Sequence, residues 1–391
     1  MSWKTIKLGD VATVIAGQSP KGESYNKEAN GTPFYQGKKD YGDKYLNPPT
    51  VWTTTPTKLA KKNDILMSVR APVGALNFAN QTVCIGRGLA AIRASSQISN
   101  DYLFYALLQL SSKLKGSSGA IFNSINKKQI EDITFALPPL EEQKAIVAKL
   151  DKAFAEIDKA IVASNAQANN VSALKSRFIT SKFTTQIKGK PLGECCEFLN
   201  GYAFKSGDAI KTSDTQLLRM GNLYENKLDL KRKPAFYPDY YATQHQRYVL
   251  EHGDIVMTLT GTVGKKDYGY ALKIENMEKT LLLNQRILKL HKFNHAFINQ
   301  DFLLYFLQSE PFLSELYATA NGTRQANLSS DTIKKLKIPL PSLEEQEKAV
   351  DAFKSIEGIH HEAFECLTRK ISNLNALKFS ILAQELQSEA A

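Results

Sequence analysis

Few side chains in this sequence stand at spacings that support bond-making chemistry. Asn47-Pro48-Pro49-Thr50 approaches the Asn-Pro-Pro-aromatic signature of amino-methyltransferases, whose ring stacks on an extruded base. Thr50 stands where the ring belongs, so the segment reads as a loop with extended proline geometry. Gly86-Arg-Gly-Leu-Ala-Ala91 matches the dinucleotide-loop pattern Gly-x-Gly-x-x-Ala weakly, and no helical pattern follows it. Gly17-Gln-Ser-Pro-Lys-Gly-Glu-Ser24 lacks the lysine that a phosphate loop needs after its second glycine. His360 and His361 have no companions at metal-ligand spacing. Cys84, Cys195, Cys196 and Cys366 make neither a Cys-x-x-Cys site nor a disulfide framework, and read as reduced, mostly buried thiols of a cytoplasmic protein. No Ser/His/Asp arrangement or nuclease carboxylate cluster stands out. The reading is a non-catalytic chain with no metal and no bound cofactor.

What the sequence does supply is positive charge, a net +11 over 391 residues. Its placement depends on an internal repeat, the first thing to seek in a chain of this length. Leu137-Pro-Pro-Leu-Glu-Glu-Gln143 returns as Leu340-Pro-Ser-Leu-Glu-Glu-Gln346, and the copies then run in step through Leu174-Lys175 and Leu377-Lys378. Upstream the match is looser but ordered: Leu8-Gly9-Asp10 answers to Leu192-Gly193-Glu194, Asp64-Ile-Leu-Met67 to Asp254-Ile-Val-Met257, Arg87 to Arg286, and Asp101-Tyr-Leu103 to Asp301-Phe-Leu303. Similar ends around a length-variable middle describe two copies of one fold with diverged loops.

Each copy has two parts. Residues 1–137 and 185–340 hold short β-branched and aromatic runs broken by Gly, Pro, Asn and Asp, a mixed α/β pattern rich in loops. Residues 138–184 and 341–391 each read as one long helix opened by proline and by first-turn acids, which the helix dipole favours. Apolar or small residues recur in steps of three and four: Leu150, Phe154, Ile157, Ile161, Ser164, Ala168, Val171, Leu174 and Phe178 in the first, and Phe353, Ile356, His360, Phe364, Leu367, Ile371, Leu374 and Ile381 in the second. So narrow a stripe on a polar helix calls for a partner helix. About 40 residues make a rod of about 60 Å. Connectivity requires the pair to run antiparallel as a coiled coil. The expected architecture is α+β lobes in tandem duplication joined by two long antiparallel helices, a dumbbell with approximate two-fold symmetry. No run of apolar residues is long enough to span a membrane, and Met1 to Asp10 carry no signal-peptide pattern.

The excess positive charge lies in the lobes: the first has a net +8 and the second +5, while the helices together have −2. Phosphate contacts from Lys and Arg supply affinity for nucleic acid, and side chains entering the grooves supply sequence. Glycine-rich loops let backbone approach a duplex, so the candidate contacts are Lys21, Lys38, Lys39, Arg70, Arg87 and Lys127 in the first lobe, and Lys205, Arg219, Lys265, Lys266, Arg286 and Arg324 in the second. Arg87 and Arg286, in strand-like settings, have a competing role as partners of internal carboxylates.

Two variable domains, each followed by a long helix opening with Pro-Leu-Glu-Glu-Gln or its near copy, resemble the DNA-specificity subunits of Type I restriction–modification systems. The likeness covers essentially the whole chain. It includes Asp64-Ile-Leu-Met-Ser-Val-Arg-Ala-Pro-Val-Gly74 and Ile85-Gly-Arg-Gly-Leu-Ala-Ala-Ile92 in the first lobe. In the second it includes Leu218-Arg-Met-Gly-Asn-Leu223, Asp254-Ile-Val-Met-Thr-Leu-Thr-Gly-Thr-Val-Gly264 and Gly322-Thr-Arg-Gln-Ala-Asn-Leu328. The resemblance implies that each target-recognition domain reads half of a bipartite, asymmetric site in double-stranded DNA, and that the helices set the spacing. It implies two methyltransferase subunits and restriction subunits as partners, docked on the helix openings Leu140, Glu141, Glu142, Gln143 and Leu343, Glu344, Glu345, Gln346. S-adenosylmethionine and ATP would then sit on those partners. A protein-binding adaptor and a fragment of a fused methyltransferase are the alternatives.

Overall fold

The computed structural model describes residues 3–116, 124–184, 189–320 and 325–387. The chain divides into two compact units, Met1–Asn165 with Leu367–Ala391, and Ala166–Cys366.

In the first unit, an antiparallel sheet runs in the order Ala12–Ala16, Leu89–Ala94, Ile65–Ser68, Leu76–Phe78. A second sheet pairs Thr32–Tyr35 in parallel with Val83–Ile85. The run Ile65-Leu66-Met67 is apolar throughout because the strand is covered on both faces. Side chains alternate across a strand. Ile65 and Met67 therefore join a core with the helix Asn100–Gly116, whereas Leu66 joins a second core with Tyr35 and Ile85. Lys4–Lys7 pairs with Thr134–Leu137 and closes the lobe just before the first long helix.

The second unit repeats this plan. Its sheet runs Glu197–Asn200, Ile287–His291, Ile255–Thr258, Ala271–Lys273, and Thr215–Leu218 lies parallel to Thr280–Leu283. Ile255 and Met257 face the helical core and Val256 the opposite one. The aspartate opening the third strand is neutralised in both units, but from different positions. In the first, Arg93 grips Asp64 through two bonds of 3.0 and 2.7 Å. In the second, the fully buried Lys289 reaches Asp254 at 2.6 Å. Registers with Ile65 and Ile255 place Lys289 two residues earlier than Arg93, on the same strand face. These two pairs take the internal carboxylates considered for Arg87 and Arg286.

The long helices span Leu140–Ser181 and Leu343–Glu385. In the first unit, Ile146 and Leu150 from the start of one share a core with Leu382 and Leu386 from the end of the other. In the second unit, Val350 and Phe353 share a core with Phe178, Ile179 and Phe183. Within each unit the two segments therefore run antiparallel, as connectivity required. Leu150, Ile157 and Phe353 are buried, and Phe154, Ile161, Val171, Ile356, Leu367, Ile371 and Leu374 are half-buried. Two residues of the expected stripe lie off it: Leu174 is 63% exposed and Phe364 44%. Three-and-four spacing leaves the choice at each step open, and here polar neighbours take the seam. Lys175 pairs with Glu357 at 2.9 Å, and the Ser172 hydroxyl shares a 3.1 Å hydrogen bond with His360.

The helix openings also correct one expectation. Gln143 and Gln346 present nothing to a partner, because both are fully buried. Gln143 accepts from the Ser99 backbone N–H at 2.8 Å and donates to the carbonyls of Pro138 and Gln97. Gln346 accepts from Asn299 N–H at 2.8 Å and donates to Phe297 and Pro341. Each amide thus ties the start of its long helix to the start of the lobe helix beside it, satisfying backbone groups that water cannot reach. Of the remaining opening residues, Leu140, Glu141, Glu142, Glu344 and Glu345 are exposed and Leu343 is half-buried. Glu345 closes a capping box with Ser342, whose hydroxyl and backbone N–H hold its carboxyl below the usual range.

Candidate nucleic-acid interface

In the first lobe, three backbone segments meet more closely than side chains would allow. A Cβ on Gly17 would stand 2.2 Å from the Gly86 carbonyl oxygen, and one on Gly88 would stand 2.5 Å from that of Gln36. Backbone bonds from Gly17 to Leu89, Gln18 to Ile85 and Gly86 to Tyr35 lock these segments together. Val69 N–H then bonds to Gly88 at 3.0 Å, and Ile125 N–H to Val69 at 3.0 Å. The loop carrying Arg70 and the segment leading to Lys127 thereby join the group. Arg87, its N–H near the Ser19 hydroxyl at 3.3 Å, is exposed. So are Arg70, Lys21, and Lys38 and Lys39 in the short turn Lys38–Asp40. Lys127 differs: it opens the helix Lys127–Glu131 and pairs with Glu131 at 3.5 Å. Asn47 is a brace of its own loop, its amide donating to the Tyr41 carbonyl at 3.1 Å and its carbonyl accepting from the Tyr35 hydroxyl at 2.7 Å.

The second lobe builds the same place around a cleft of about 440 Å³. Arg219, Arg232, Lys233 and Arg286 line it with the carboxamides of Asn222, Asn284 and Gln285, and no carboxylate is among the lining residues. Four cations without an acid repel one another, and a polyanion relieves that repulsion. The carboxamides of Asn284 and Gln285 can in addition donate and accept at a base edge. Gly201 permits the approach, since a Cβ there would meet the Asn284 carbonyl oxygen at 2.0 Å. Arg219 leaves the end of strand Thr215–Leu218, and its guanidinium donates to the Lys233 carbonyl. Arg286 leaves the turn before Ile287–His291 and is exposed, with its carbonyl bonded to Leu259 N–H at 2.9 Å.

Of the expected contacts, the cleft brings together Arg219 and Arg286 and leaves Lys205, Lys265 and Lys266 outside its lining. Lys205 is exposed before the turn Ser206–Asp208. Lys265 and Lys266 are exposed on a turn held by Asp267, whose carboxyl the Thr262 N–H and hydroxyl keep below the usual range. Lys266 also covers the Tyr317 ring at 5.5 Å. Arg324 lies outside the described residues. Arg232 and Lys233 were missed, because the run Lys231-Arg232-Lys233 by itself reads as a solvated stretch. Among the described residues, no group of three or more His, Cys, Asp or Glu side chains could hold a metal ion, and no helix is long and apolar enough to cross a membrane.

Two copies of one α+β lobe, each with basic loops at the same place in its fold, define a duplicated nucleic-acid reader. The chain belongs to the Type I restriction modification DNA specificity family, whose domain matches residues 1–164 and again 186–367. It is 27% identical to the Type I restriction enzyme MjaVIII specificity subunit of Methanocaldococcus jannaschii, over 95% of this chain and 91% of that one. A second relative from that organism, the putative MjaX specificity subunit, is 41% identical over 48% of this chain and 44% of its own length. The EcoBI specificity subunit of Escherichia coli is 20% identical over 99% of this chain and 86% of that one. A chain solved in work on complex assembly and conformational transition of the type I R-M system shares the fold at a TM-score of 0.72 and 16% identity, covering 99% of this chain and 98% of that one. The HsdS subunit from Thermoanaerobacter tengcongensis does so at 0.50 and 15%, covering 98% and 96%.

Proposed function

We propose that this chain is the DNA-reading subunit of a Type I restriction–modification complex, and that each lobe reads one half of a bipartite, asymmetric site in double-stranded DNA. The observation that carries this reading is the second lobe's acid-free cleft, with four cations beside the carboxamides of Asn284 and Gln285. It is supported by the exposed cations Arg70, Arg87, Lys38 and Lys39 on or beside the backbone-bonded segments of the first lobe. Lysines grip phosphates, while arginines and the carboxamides of Asn284 and Gln285 discriminate bases, so affinity and sequence choice draw in part on different side chains. The long helices set the separation of the half-sites, and their exposed openings at Leu140, Glu141, Glu142, Glu344 and Glu345 dock two methyltransferase subunits. Restriction subunits complete the assembly in the cytoplasm. Adenine methylation with S-adenosylmethionine and ATP-driven translocation with cleavage belong to those partners.

Sequencing adenine methylation in cells that express this chain together with a type I methyltransferase subunit tests the reading. The expected result is a two-part motif, one half of which degenerates when Arg219 and Arg286 become alanine. Methylation with no motif, or a motif indifferent to both lobes, would overturn it.

A further inference from the structure

The cleft of the second lobe holds a residue with five hydrogen bonds and almost no surface. Asn222 is 1% exposed. Its Oδ1 accepts from Arg219 N–H at 3.0 Å, and its Nδ2 donates to the carbonyls of Asp229 and Arg232, both at 2.9 Å. Its backbone N–H donates to the Arg219 carbonyl and its carbonyl accepts from Asp229 N–H, each at 2.8 Å. One side chain thus fastens the segment bearing Arg219 to the loop bearing Arg232 and Lys233. Neighbours complete the clamp. Gln216, also buried, donates to the Leu230 carbonyl at 2.7 Å, and Asp229 accepts from the N–H groups of Lys231 and Arg232. A run of three cations that would otherwise be a solvated tether is held in one conformation, with Lys233 in the left-handed region at φ 47°.

We propose that Asn222 is a positioning residue for sequence discrimination by the second lobe: it touches no base itself and fixes Arg219, Arg232 and Lys233 relative to one another. This rests on the reading of the cleft as a duplex contact. Phosphate attraction falls off slowly with distance and tolerates a mobile loop, whereas base-edge hydrogen bonds require fixed donors. Loss of Asn222 should therefore remove discrimination and leave general affinity. Aspartate is the informative second variant, because it keeps the acceptor for Arg219 N–H and loses both donations to the 229–232 carbonyls.

The experiment enriches a randomised duplex library on the full chain bound to a type I methyltransferase subunit. Affinity is then compared for the enriched and the random duplex. For Asn222→Ala and Asn222→Asp, preference for the half-site read by the second lobe should fall about tenfold or more, a change of the size of one good base contact. Affinity of Asn222→Ala for random duplex should stay within about twofold, and in both variants the other half-site should be unchanged and trypsin should cut faster at Lys231–Lys233. Unchanged discrimination in either variant overturns the proposal. So does a parallel loss of random-duplex affinity and of the unfolding midpoint in Asn222→Ala, which would mark a purely structural residue. If the wild-type chain enriched no sequence, the reading of the cleft itself would fail, a result distinct from any variant effect.

Discussion

The two units solve one packing problem with different side chains. Where the second unit seals its two long-helix segments against the lobe, Phe178, Phe183 and Phe353 meet Phe302, Tyr305 and Phe306, with ring centroids 4.8–6.2 Å apart. Where the first does so, Leu150, Leu382 and Leu386 share a core with Tyr102, Tyr105 and Ala106. What both retain is polar: a buried glutamine at the helix opening and a neutralised aspartate at the third strand. Apolar volume can be exchanged as long as the space is filled. A buried amide that bonds three backbone groups has no substitute of the same geometry. Duplicated lobes therefore diverge in what fills them sooner than in what pins them.

The strongest test of that contrast is the ion pair. In Lys289→Met the carboxylate of Asp254 stays buried without its ammonium, and the second unit should lose about 4 kcal/mol. Arg93→Met should cost the first unit about half as much, since the half-exposed site of Arg93 lets water replace it. Amide exchange in Ile255–Thr258 and in Ile65–Ser68 measures the two separately. Equal losses would show that the exposure difference carries no weight.

Next come the seals. Phe353→Ala should destabilise the second unit by about 4 kcal/mol and Leu150→Ala the first by about 3 kcal/mol, the difference following the volume removed. Gln346→Ala and Gln143→Ala should each cost about 2–3 kcal/mol, with orphaned backbone groups at the lobe-helix start, and here the two units should agree. A glutamine loss confined to one unit would break the claim that this amide is the retained element.

Effects on DNA binding are smaller. Arg286→Ala and Arg87→Ala should each relax one position of the respective half-site by about 1–3 kcal/mol, read from enriched-sequence profiles. The smallest effect is acid sensitivity. Burial disfavours the charged form of Asp301, but Lys273 and Lys354 outweigh it and hold its carboxyl below the usual range. A depressed folded value makes this contribution fully present above about pH 4. It is lost as pH falls through the lower folded value. Lys354→Met should flatten that acid limb of the stability profile.

Much of this plan is written in the residue order. The repeat and the long helices follow from spacing alone, whereas Ile65-Leu66-Met67 and Ile255-Val256-Met257 read in sequence only as short apolar runs, and their covering on both faces emerges in the fold. The glutamines were misread because a polar residue in the first turn of a helix ordinarily faces water. Burial comes from the lobe helix beside it, distant in sequence. Leu174 and Phe364 were misplaced because steps of three and four do not decide between adjacent positions. The cleft was half legible: Arg286 follows from the repeat and Arg219 from the glycine-bearing segment Leu218–Leu223, whereas Arg232 and Lys233 sit in a charge run that alone signals solvent. Only the bonds of Asn222 to backbone carbonyls distinguish the two cases, and backbone carbonyls leave no mark in a sequence.

The first unit is assembled from segments far apart along the chain, whereas the second is a single stretch, Ala166–Cys366. During synthesis the ribosome releases every residue of the second before the segment bearing Leu382 and Leu386 has emerged. The first lobe must wait, its greasy groove beside Tyr102 and Leu150 open to chaperones, until the last helical turns arrive to close it.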